Sequence, residues 1–195
     1  PQLIEKFTNN PESFVGKSTK EIRALQIDDR ALFWGKGSDG DERTLDLGDN
    51  SSFYQGLVTT KWNNNYSNGG SPHDVFDVDT DFFLFRVAEA YLNAAEAEMH
   101  LNGESSTKAT SDSYNLNYIL DERSREFYFE GLRRTDLIRF NQFGGTQTTY
   151  NWSYKGGNIN GVTFDKTRNL FPLPTSEIQA NRSLIQIDGY NETEE

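Results

Sequence analysis

One stretch in the second half of the chain, Leu116 to Phe143, constrains the fold more than any other. Its apolar residues recur at helical spacing, and Glu122, Glu126 and Glu130 follow at intervals of four residues, so they share one helix face. Like charges at that spacing repel each other by roughly a few tenths of a kcal/mol per pair. We therefore expect a helix whose three glutamates are neutralised by nearby cations.

Arginines in the same stretch supply such cations. Some lie in the helix itself, and others follow Gly131, which is predicted to end the helix before a second short one begins. Paired carboxylates can also serve general acid–base catalysis. With this many arginines beside the acids, the sequence favours a structural ion network that fixes how the two helices dock. The predicted members of this network are Glu122, Arg123, Arg125, Glu126, Glu130, Arg133, Arg134 and Asp136.

Another helix is predicted over residues 82–101. Its polar residues fall at intervals of three and four, which forms one narrow stripe, and nearly all other positions are apolar. A helix that is apolar around most of its circumference is expected to pack on at least two sides, as in a stack of helical hairpins. The polar stripe consists of Arg86, Glu89, Asn93, Glu96 and His100.

Residues 1–81 carry few helical signals. Ser18 and Glu21 are spaced as in a capping box, which predicts a short helix. Alternation of apolar and polar residues at 44–47, and the segment 53–62, indicate short strands. Because glycine and asparagine interrupt these segments repeatedly, we expect a loop-rich region.

The loop at residues 63–72 is a candidate ligand-binding region, because loops often carry function. Carbohydrates bind to flat aromatic faces that stack on sugar C–H groups, while amides hydrogen-bond the hydroxyls. Trp62, Tyr66 and Asn63 offer both kinds of group close together, and Trp34 is a further candidate. The alternative is that Trp62 belongs to the core and the asparagines only form turns.

Four aspartates between residues 74 and 81 raise the question of a calcium site. The last three copy the spacing at the start of an EF-hand loop, but Phe82 stands where that loop needs glycine and Ala88 where it needs glutamate. Capping of the following helix is the simpler interpretation. With no histidine pair at ligand spacing and no common catalytic motif, we predict no metal, no cofactor and no catalytic residue.

Composition limits the possible partners. The chain has 19 basic and 30 acidic residues, a net charge of −11, which disfavours binding to nucleic acid. No apolar run approaches the roughly 20 residues of a membrane helix, and there is no cysteine for a disulfide. No signal peptide opens the chain and Pro1 is not a translation start, so we expect a fragment or a processed form.

Three blocks of the second half resemble the SusD/RagB family of outer-membrane glycan-binding lipoproteins, and they occur in family order. The first is the helix around residues 83–97, the second runs from Ile119 to Phe140, and the third is Leu173–Ile178 with the segment that follows. A helix that family members usually place between the first two blocks is missing here. The family's closing proline-glycine-tyrosine triplet reads Asp188-Gly189-Tyr190, so its proline is lost.

The resemblance implies a mainly α-helical fold, the C-terminal part of a tetratricopeptide-type scaffold with long irregular loops and a few short strands. Residues 1–81 would form a loop-rich, ligand-facing segment and residues 82–195 a helical one, both parts of one larger domain. The implied function is non-enzymatic capture of oligosaccharides or polysaccharides at the outer-membrane surface and their delivery to a SusC-like TonB-dependent transporter. The lipid anchor of the family is absent from this sequence, and its sugar-contacting residues lie largely upstream.

Two alternatives remain open. One is a scaffold that caps the transporter without glycan affinity of its own. The other is a glycoside hydrolase, which requires two carboxylates roughly 5–10 Å apart across a cleft. Glu122 and Glu126 are one helical turn apart and meet that requirement only if they face solvent instead of arginines.

Overall fold

The computed structural model describes residues 2–37, 41–48, 52–74, 76–103, 115–145 and 151–190. Over this part the chain is mainly helical with two short strands, which confirms the predicted fold class. It forms two compact units, Pro1–Arg133 and Arg134–Glu195. The division at residue 82 that the sequence suggested stays a prediction, and the missing family helix falls mostly at residues 104–114, outside the described residues.

Most of the regular elements are short, and α2 and α3 are the longest. The α-helices are α1 (Thr19–Arg23), α2 (Val87–Asn102), α3 (Leu116–Phe127), α4 (Arg133–Arg139) and α5 (Thr175–Ala180). The antiparallel strands are β1 (Phe33–Trp34) and β2 (Val58–Thr59). Single 3-10 turns lie at Ile4–Lys6, Pro11–Phe14, Lys155–Gly157 and Lys166–Asn169. Of the helices described, none has both the length and the hydropathy that crossing a bilayer would take.

The hydrophobic core of the first unit joins the N-terminal segment to the residue that follows α3. Phe33 contacts the ring of Phe7 edge-on and stacks with the ring of Tyr128, in both cases with centroids 5.5 Å apart. The Tyr128 hydroxyl donates to the Arg30 carbonyl at 2.7 Å, and burial raises its pKa to about 12. The buried members of this core are Ile4, Phe7, Phe14, Ile22, Ala31, Phe33 and Tyr128.

Local sequence patterns in the first unit correctly predicted a capped helix and one strand, and wrongly predicted another strand. The capping box is confirmed, since the Ser18 backbone N–H donates to the Glu21 carboxylate at 2.8 Å and the Ser18 hydroxyl accepts from the Glu21 N–H. A strand within residues 53–62 is confirmed as β2. The strand indicated at 44–47 is absent, because the Thr44 hydroxyl donates to the Asp46 carbonyl and closes a local turn instead.

The predicted helix is confirmed as α3, which carries Glu122 and Glu126, but its predicted end is wrong and Glu130 lies beyond it. α3 ends at Phe127, four residues before the glycine that was expected to stop it. Tyr128 leaves helical geometry with ψ of 139° because its ring enters the core described above. Phe129 and Gly131 then adopt positive φ angles of 59° and 80° before α4 begins.

The second long helix also differs from its prediction. α2 begins at Val87, because Phe82–Arg86 is not helical and Arg86 is extended with φ of −146°. The packing of this helix on a second side stays a prediction. α2 packs against α3, whereas the large apolar residues on its other side are exposed.

The second unit is built around an aromatic cluster that encloses a lysine. The Phe143 ring lies 6.2 Å from the Trp152 ring and 5.4 Å from the Phe164 ring. Lys155 is buried beside them and donates from Nζ to the Phe143 carbonyl at 3.0 Å. Burial lowers the pKa of Lys155, and the electron-rich ring faces offset part of the cost of enclosing its charge.

The C-terminal segment of this unit is held by side chain to backbone contacts. The short helix α5 lies in this segment, and Pro174 occupies its N-cap. The Gln186 amide accepts from the Leu173 N–H and donates to the Leu173 carbonyl, both at 2.9 Å. The Tyr190 hydroxyl donates to the Leu170 carbonyl at 2.9 Å, which ties down the last described residue.

Candidate functional site

Two arginines bridge three glutamates, of which Glu122 and Glu126 lie on α3 and Glu130 follows its C-terminal end. Arg30 donates from Nη1 to Glu122 at 2.6 Å and to Glu126 at 2.9 Å. Arg86 donates to Glu126 and makes a two-point contact with Glu130, at 2.7 and 2.8 Å. The α3 network, as we name it, consists of Glu122, Glu126, Glu130, Arg30, Arg86, Lys61 and Arg125.

Every carboxylate oxygen of the three glutamates accepts at least one hydrogen bond from this set. The second oxygen of Glu122 accepts from Arg125 Nε at 2.7 Å. One oxygen of Glu130 also accepts from Lys61 Nζ at 2.5 Å. Glu130 is buried and the other two are half-buried, and carboxylates withdrawn from water in this way are stable only when paired. The glutamates are therefore engaged within the structure.

The pKa values of the three carboxyls follow from these contacts. Burial raises the pKa of Glu122, Glu126 and Glu130, but hydrogen bonds from arginine outweigh it, and each net pKa lies below the ordinary 4.5. Burial lowers the pKa of Arg86, and its hydrogen bonds to Glu130 and Glu126 outweigh that effect in turn. A general acid in a glycosidase needs a raised carboxyl pKa. The shifts in the α3 network run in the opposite direction.

Two cations of the network also close the C-terminal end of α3. Lys61 Nζ donates to the carbonyls of Glu126 and Tyr128, at 2.6 and 3.1 Å, and Arg86 Nη2 donates to the Glu126 carbonyl at 2.8 Å. The last carbonyls of a helix lack partners within the helix and carry the negative end of its dipole. Lys61 and Arg86 therefore neutralise this helix end and the glutamates together.

Two other predicted network residues contact neighbouring polar groups in the first unit. Arg123 is buried and donates to the Asn93 side chain on α2 at 2.9 Å. Arg133 donates to the Leu120 carbonyl at 2.9 Å. These contacts tie α3 to α2 and to the start of α4. The place of both residues in one network with the glutamates stays a prediction.

The last two predicted network residues lie in the second unit. Arg134 donates to the carbonyls of Arg168 and Asn169, at 3.1 and 3.0 Å. Asp136 is buried and forms an ion pair with Arg139 at 3.2 Å. Both therefore have partners within their own unit, and a joint network with the glutamates again stays a prediction.

Sequence reasoning missed three cations of the α3 network. Arg30, Lys61 and Arg86 reach their glutamates across separations of 92, 69 and 44 residues. No periodic pattern links residues so far apart, so spacing could not reveal these pairs. One signal was present, because Arg86 is the only lysine or arginine between residues 62 and 107 and begins the polar stripe of α2.

The aromatic part of the candidate site is centred on Trp62, the neighbour of Lys61. The indole ring stacks on Phe82 with centroids 6.2 Å apart and lies 6.1 Å from the Phe83 ring. Its Nε1–H donates to the Phe129 carbonyl at 3.2 Å. Trp62 is half-buried, and these contacts support an anchoring role for it. Ligand binding by Trp62 stays a prediction.

Asn64 holds the loop at residues 63–81 together. Its Nδ2 donates to the carbonyls of Asp74 and Asp77, at 3.1 and 3.0 Å, and its Oδ1 accepts from the Asp79 N–H at 2.7 Å. The Asp74 and Asp79 carboxylates accept from backbone N–H groups of the loop. The prediction that they cap the next helix is wrong, because α2 begins too far along the chain. Among the described residues, no group of three or more acids or histidines could hold a metal ion.

The other predicted ligand residues lie on the surface. Tyr66 is 53% exposed and Trp34 is 39% exposed. Trp34 donates from Nε1 to the Lys36 carbonyl at 2.9 Å, which fixes the orientation of its ring. Asn63 is exposed and accepts from the Asn65 N–H at 2.9 Å. Contact between these residues and a ligand stays a prediction.

A cavity of about 300 Å³ opens beside the α3 network. Its polar lining groups are Arg86, Glu89 and Glu130, and Arg86 and Glu130 are bonded to each other. The cavity therefore offers ring faces and aliphatic groups more than free hydrogen-bonding groups, and it suits an apolar side chain better than a sugar. The apolar lining comes from Phe82, Phe83, Leu84, Phe85, Phe127 and Leu132.

Comparison with known proteins gives consistent matches over nearly the whole chain. The model of the SusD family matches residues 35–112 and 104–190. The chain is 37% identical over 190 residues to the starch-binding protein SusD of Bacteroides thetaiotaomicron. That match covers 90% of this chain and 33% of the relative, so the chain spans about a third of the length of the curated relative.

Proposed function

This chain belongs to the SusD family, and from that premise we propose that the protein captures oligosaccharides at the outer-membrane surface without hydrolysing them. One observation on this chain supports the non-enzymatic part. Each carboxylate oxygen of Glu122, Glu126 and Glu130 accepts a hydrogen bond from a cation, and the pKa of each is lowered. The strongest cluster of acids in the chain is therefore used for structure, which disfavours the hydrolase alternative.

We infer starch-type α-glucans as the first ligand class to examine, because the 37% identical relative is a starch-binding protein. On this chain, the exposed rings of Tyr66 and Trp34 are the best candidates for stacking on sugar C–H groups. Trp62 is less suited, because two phenylalanine rings and a backbone carbonyl already contact it. Affinity is expected to be modest, since a flat sugar ring covers little area.

The test is affinity electrophoresis of the protein in native gels that contain soluble starch or one of several other polysaccharides. Retardation in the starch gel, and unchanged oligosaccharides after long incubation with the protein, are the expected results. Hydrolysis that disappears in the Glu126→Gln variant, with the fold intact by circular dichroism, would establish an enzyme instead. Retardation by a different polysaccharide alone would replace the ligand class and leave glycan capture intact.

Delivery to a TonB-dependent transporter of the SusC type is the second part of the proposal, and it follows from family membership alone. Co-purification of the protein with the transporter from detergent-solubilised outer membranes is the expected result. The scaffold alternative, a protein that caps the transporter without binding glycan, predicts co-purification with no retardation on any polysaccharide. Retardation without co-purification would instead leave a surface glycan-binding protein that works alone.

A further inference from the structure

Two adjacent aromatic residues, Phe53 and Tyr54, lie on the surface of the first unit, on the turn that leads into β2. Phe53 is 85% exposed and Tyr54 is 40% exposed, and neither belongs to the core of the unit. Their ring centroids are 6.4 Å apart and the ring planes are nearly perpendicular, at 79°. We name these two side chains the ring pair. Single exposed rings are common on proteins, so it is the contacts that hold this pair in place that distinguish it.

Arg43 is a buried cation that contacts both members of the ring pair. Its guanidinium carbon lies 5.3 Å from the centroid of Phe53 and 5.7 Å from that of Tyr54. Its Nη1 donates to the Phe53 carbonyl at 3.0 Å and to the Gly56 carbonyl at 3.2 Å. Among the described residues no carboxylate pairs with Arg43, so carbonyls and rings offset the cost of burying its charge. One buried side chain therefore fixes the backbone of the turn and both rings.

The turn that carries the ring pair is also closed by its own contacts. The Gln55 N–H donates to the Ser52 carbonyl at 3.3 Å, and the Gly56 N–H donates to the Thr44 hydroxyl at 3.4 Å. Gly56 has a φ of 79°, and a Cβ at this position would lie 3.0 Å from the Leu47 side chain, so glycine suits the turn. The rings are therefore held in one arrangement before any ligand binds, which reduces the entropy that binding costs.

We propose that the ring pair is a stacking surface for a neutral oligosaccharide, in addition to the candidates Trp34 and Tyr66, and this inference rests on the proposed function. Sugars stack their C–H groups on aromatic faces, and such stacking requires rings that are both exposed and fixed. Phe53 and Tyr54 meet both conditions, because solvent reaches the rings while Arg43 holds them.

Backbone contacts connect the ring pair to Trp34. Trp34 on β1 pairs with Val58 on β2, and β2 directly follows the turn that carries the rings. The Arg43 N–H donates to the carbonyl of Gly35, the residue after Trp34, at 3.0 Å. The segments that present Trp34 and the ring pair are therefore hydrogen-bonded neighbours, and one oligosaccharide chain is the natural ligand for both.

The surrounding charges favour a neutral ligand. Asp41, Glu42 and Asp46 are exposed acids within three residues of Arg43, whose own charge is buried. A polysaccharide with carboxylate or sulfate groups would be repelled, whereas exposed carboxylates accept hydrogen bonds from the hydroxyls of a neutral sugar. A protein partner fits less well, because two rings cover far less than the roughly 800 Å² per partner of a stable interface.

The test compares Phe53→Ala with Phe76→Ala in native gels that contain soluble starch, another neutral polysaccharide or the anionic polygalacturonate. Phe76 is the matched control, since it is a 93% exposed phenylalanine on the loop at residues 63–81. Both variants would be made in the full natural polypeptide. For the neutral polysaccharide that retards the natural protein, we expect Phe53→Ala to raise the apparent dissociation constant roughly three- to tenfold. Phe76→Ala should leave it unchanged, and both variants should keep the natural melting temperature.

Arg43→Lys tests whether the guanidinium positions the rings. Lysine keeps the positive charge but lacks the planar fork that contacts two carbonyls and two rings. The affinity for the neutral polysaccharide should fall in Arg43→Lys. It should fall no further when Arg43→Lys is added to the Phe53→Ala/Tyr54→Ala double variant, because the rings that Arg43 positions are then absent. Additive losses would overturn the positioning role.

The remaining outcomes separate this inference from the proposed function. If starch retards the natural protein and the Phe53→Ala and Tyr54→Ala variants equally, the ring pair is not part of the glycan site and the proposed function stands. A lower melting temperature of Phe53→Ala with unchanged retardation would assign the ring to packing within the full polypeptide. Retardation by polygalacturonate alone would overturn the neutral ligand class. No retardation of the natural protein on any polysaccharide would overturn both proposals.

Discussion

The C-terminal end of α3 and the loop at residues 63–81 are both acidic, yet they use their carboxylates differently. In the α3 network the glutamates pair with cations that come from three distant segments. In the loop, Asp74 and Asp79 accept hydrogen bonds from backbone N–H groups a few residues away. The first arrangement fixes the tertiary structure, whereas the second fixes only the local path of the chain. Loss of one contact should therefore have very different consequences in the two places.

The largest effect is expected from Arg86→Met. This variant leaves the buried Glu130 with Lys61 as its remaining cation and removes a cap from the end of α3. Breaking a buried ion pair by removal of one partner costs about 3–5 kcal/mol. Urea unfolding monitored by tryptophan fluorescence measures this loss. Arg23→Met is the control, because its pair with Asp29 is exposed and 3.8 Å long, and it should change the free energy of unfolding by less than about 0.5 kcal/mol.

The second-largest effect is expected from acid, which should reduce the stabilisation that the α3 network provides. The folded-state pKa values of Glu122, Glu126 and Glu130 lie below their unfolded value, so the stabilisation is complete above pH 4.5 and is lost as the pH falls through the folded pKa values. In Arg86→Met the pKa of Glu130 rises, so the loss should begin at higher pH. The test is to measure the midpoint of urea unfolding from pH 7 to pH 3 for the natural protein and for Arg86→Met. Identical pH profiles for the natural protein and the variant would contradict the assignment of the network.

Trp62→Ala tests whether the indole at the base of the loop is an anchor or a ligand platform. Two ring contacts and one hydrogen bond would be lost, and for a half-buried tryptophan we expect destabilisation of about 2–3 kcal/mol. Thermal unfolding measures the change. An unchanged melting temperature together with loss of retardation in starch gels would instead assign Trp62 to the ligand site.

A smaller effect is expected from Asn64→Ala, which removes three hydrogen bonds in a largely exposed loop. The expected cost is about 1–2 kcal/mol at most, confined to the loop, because water replaces part of what is lost. Hydrogen exchange of the amides in residues 63–81 should rise while exchange in α3 stays unchanged. Asn68→Ala is the control, because it removes one hydrogen bond, which the Gly70 N–H donates to the Asn68 side chain. It should produce a smaller rise in hydrogen exchange. Faster exchange in α3 would show that loop and network are coupled.

The smallest effect on stability is expected from Trp34→Ala. Trp34 is 39% exposed and makes one hydrogen bond, to the Lys36 carbonyl, so the free energy of unfolding should fall by less than about 1 kcal/mol. Retardation in starch gels should nevertheless weaken if Trp34 stacks on sugar. Tyr66→Ala offers the same measurement at the loop. Unchanged retardation in both variants would place the glycan site elsewhere in the protein.

Local features of this fold could be predicted from the sequence because their causes lie within a few residues. The spacing of Glu122, Glu126 and Glu130 indicated α3, and Ser18 with Glu21 indicated α1. The ordered blocks of the second half indicated the family, which the comparisons confirmed. Element ends were less predictable, since α3 stops where the Tyr128 ring enters a core built from residues 4–33.

The sequence by itself indicated that three glutamates at intervals of four residues require cations, since like charges so close together repel each other. Only the tertiary structure decided that Arg30, Lys61 and Arg86 provide most of them, because contacts across tens of residues depend on how the chain closes on itself. The same holds for α2. Its sequence predicted one polar stripe, and only the structure showed that Glu96 of this stripe is buried and that Asn93 bonds to Arg123 of α3, while the large apolar residues on the other side are exposed.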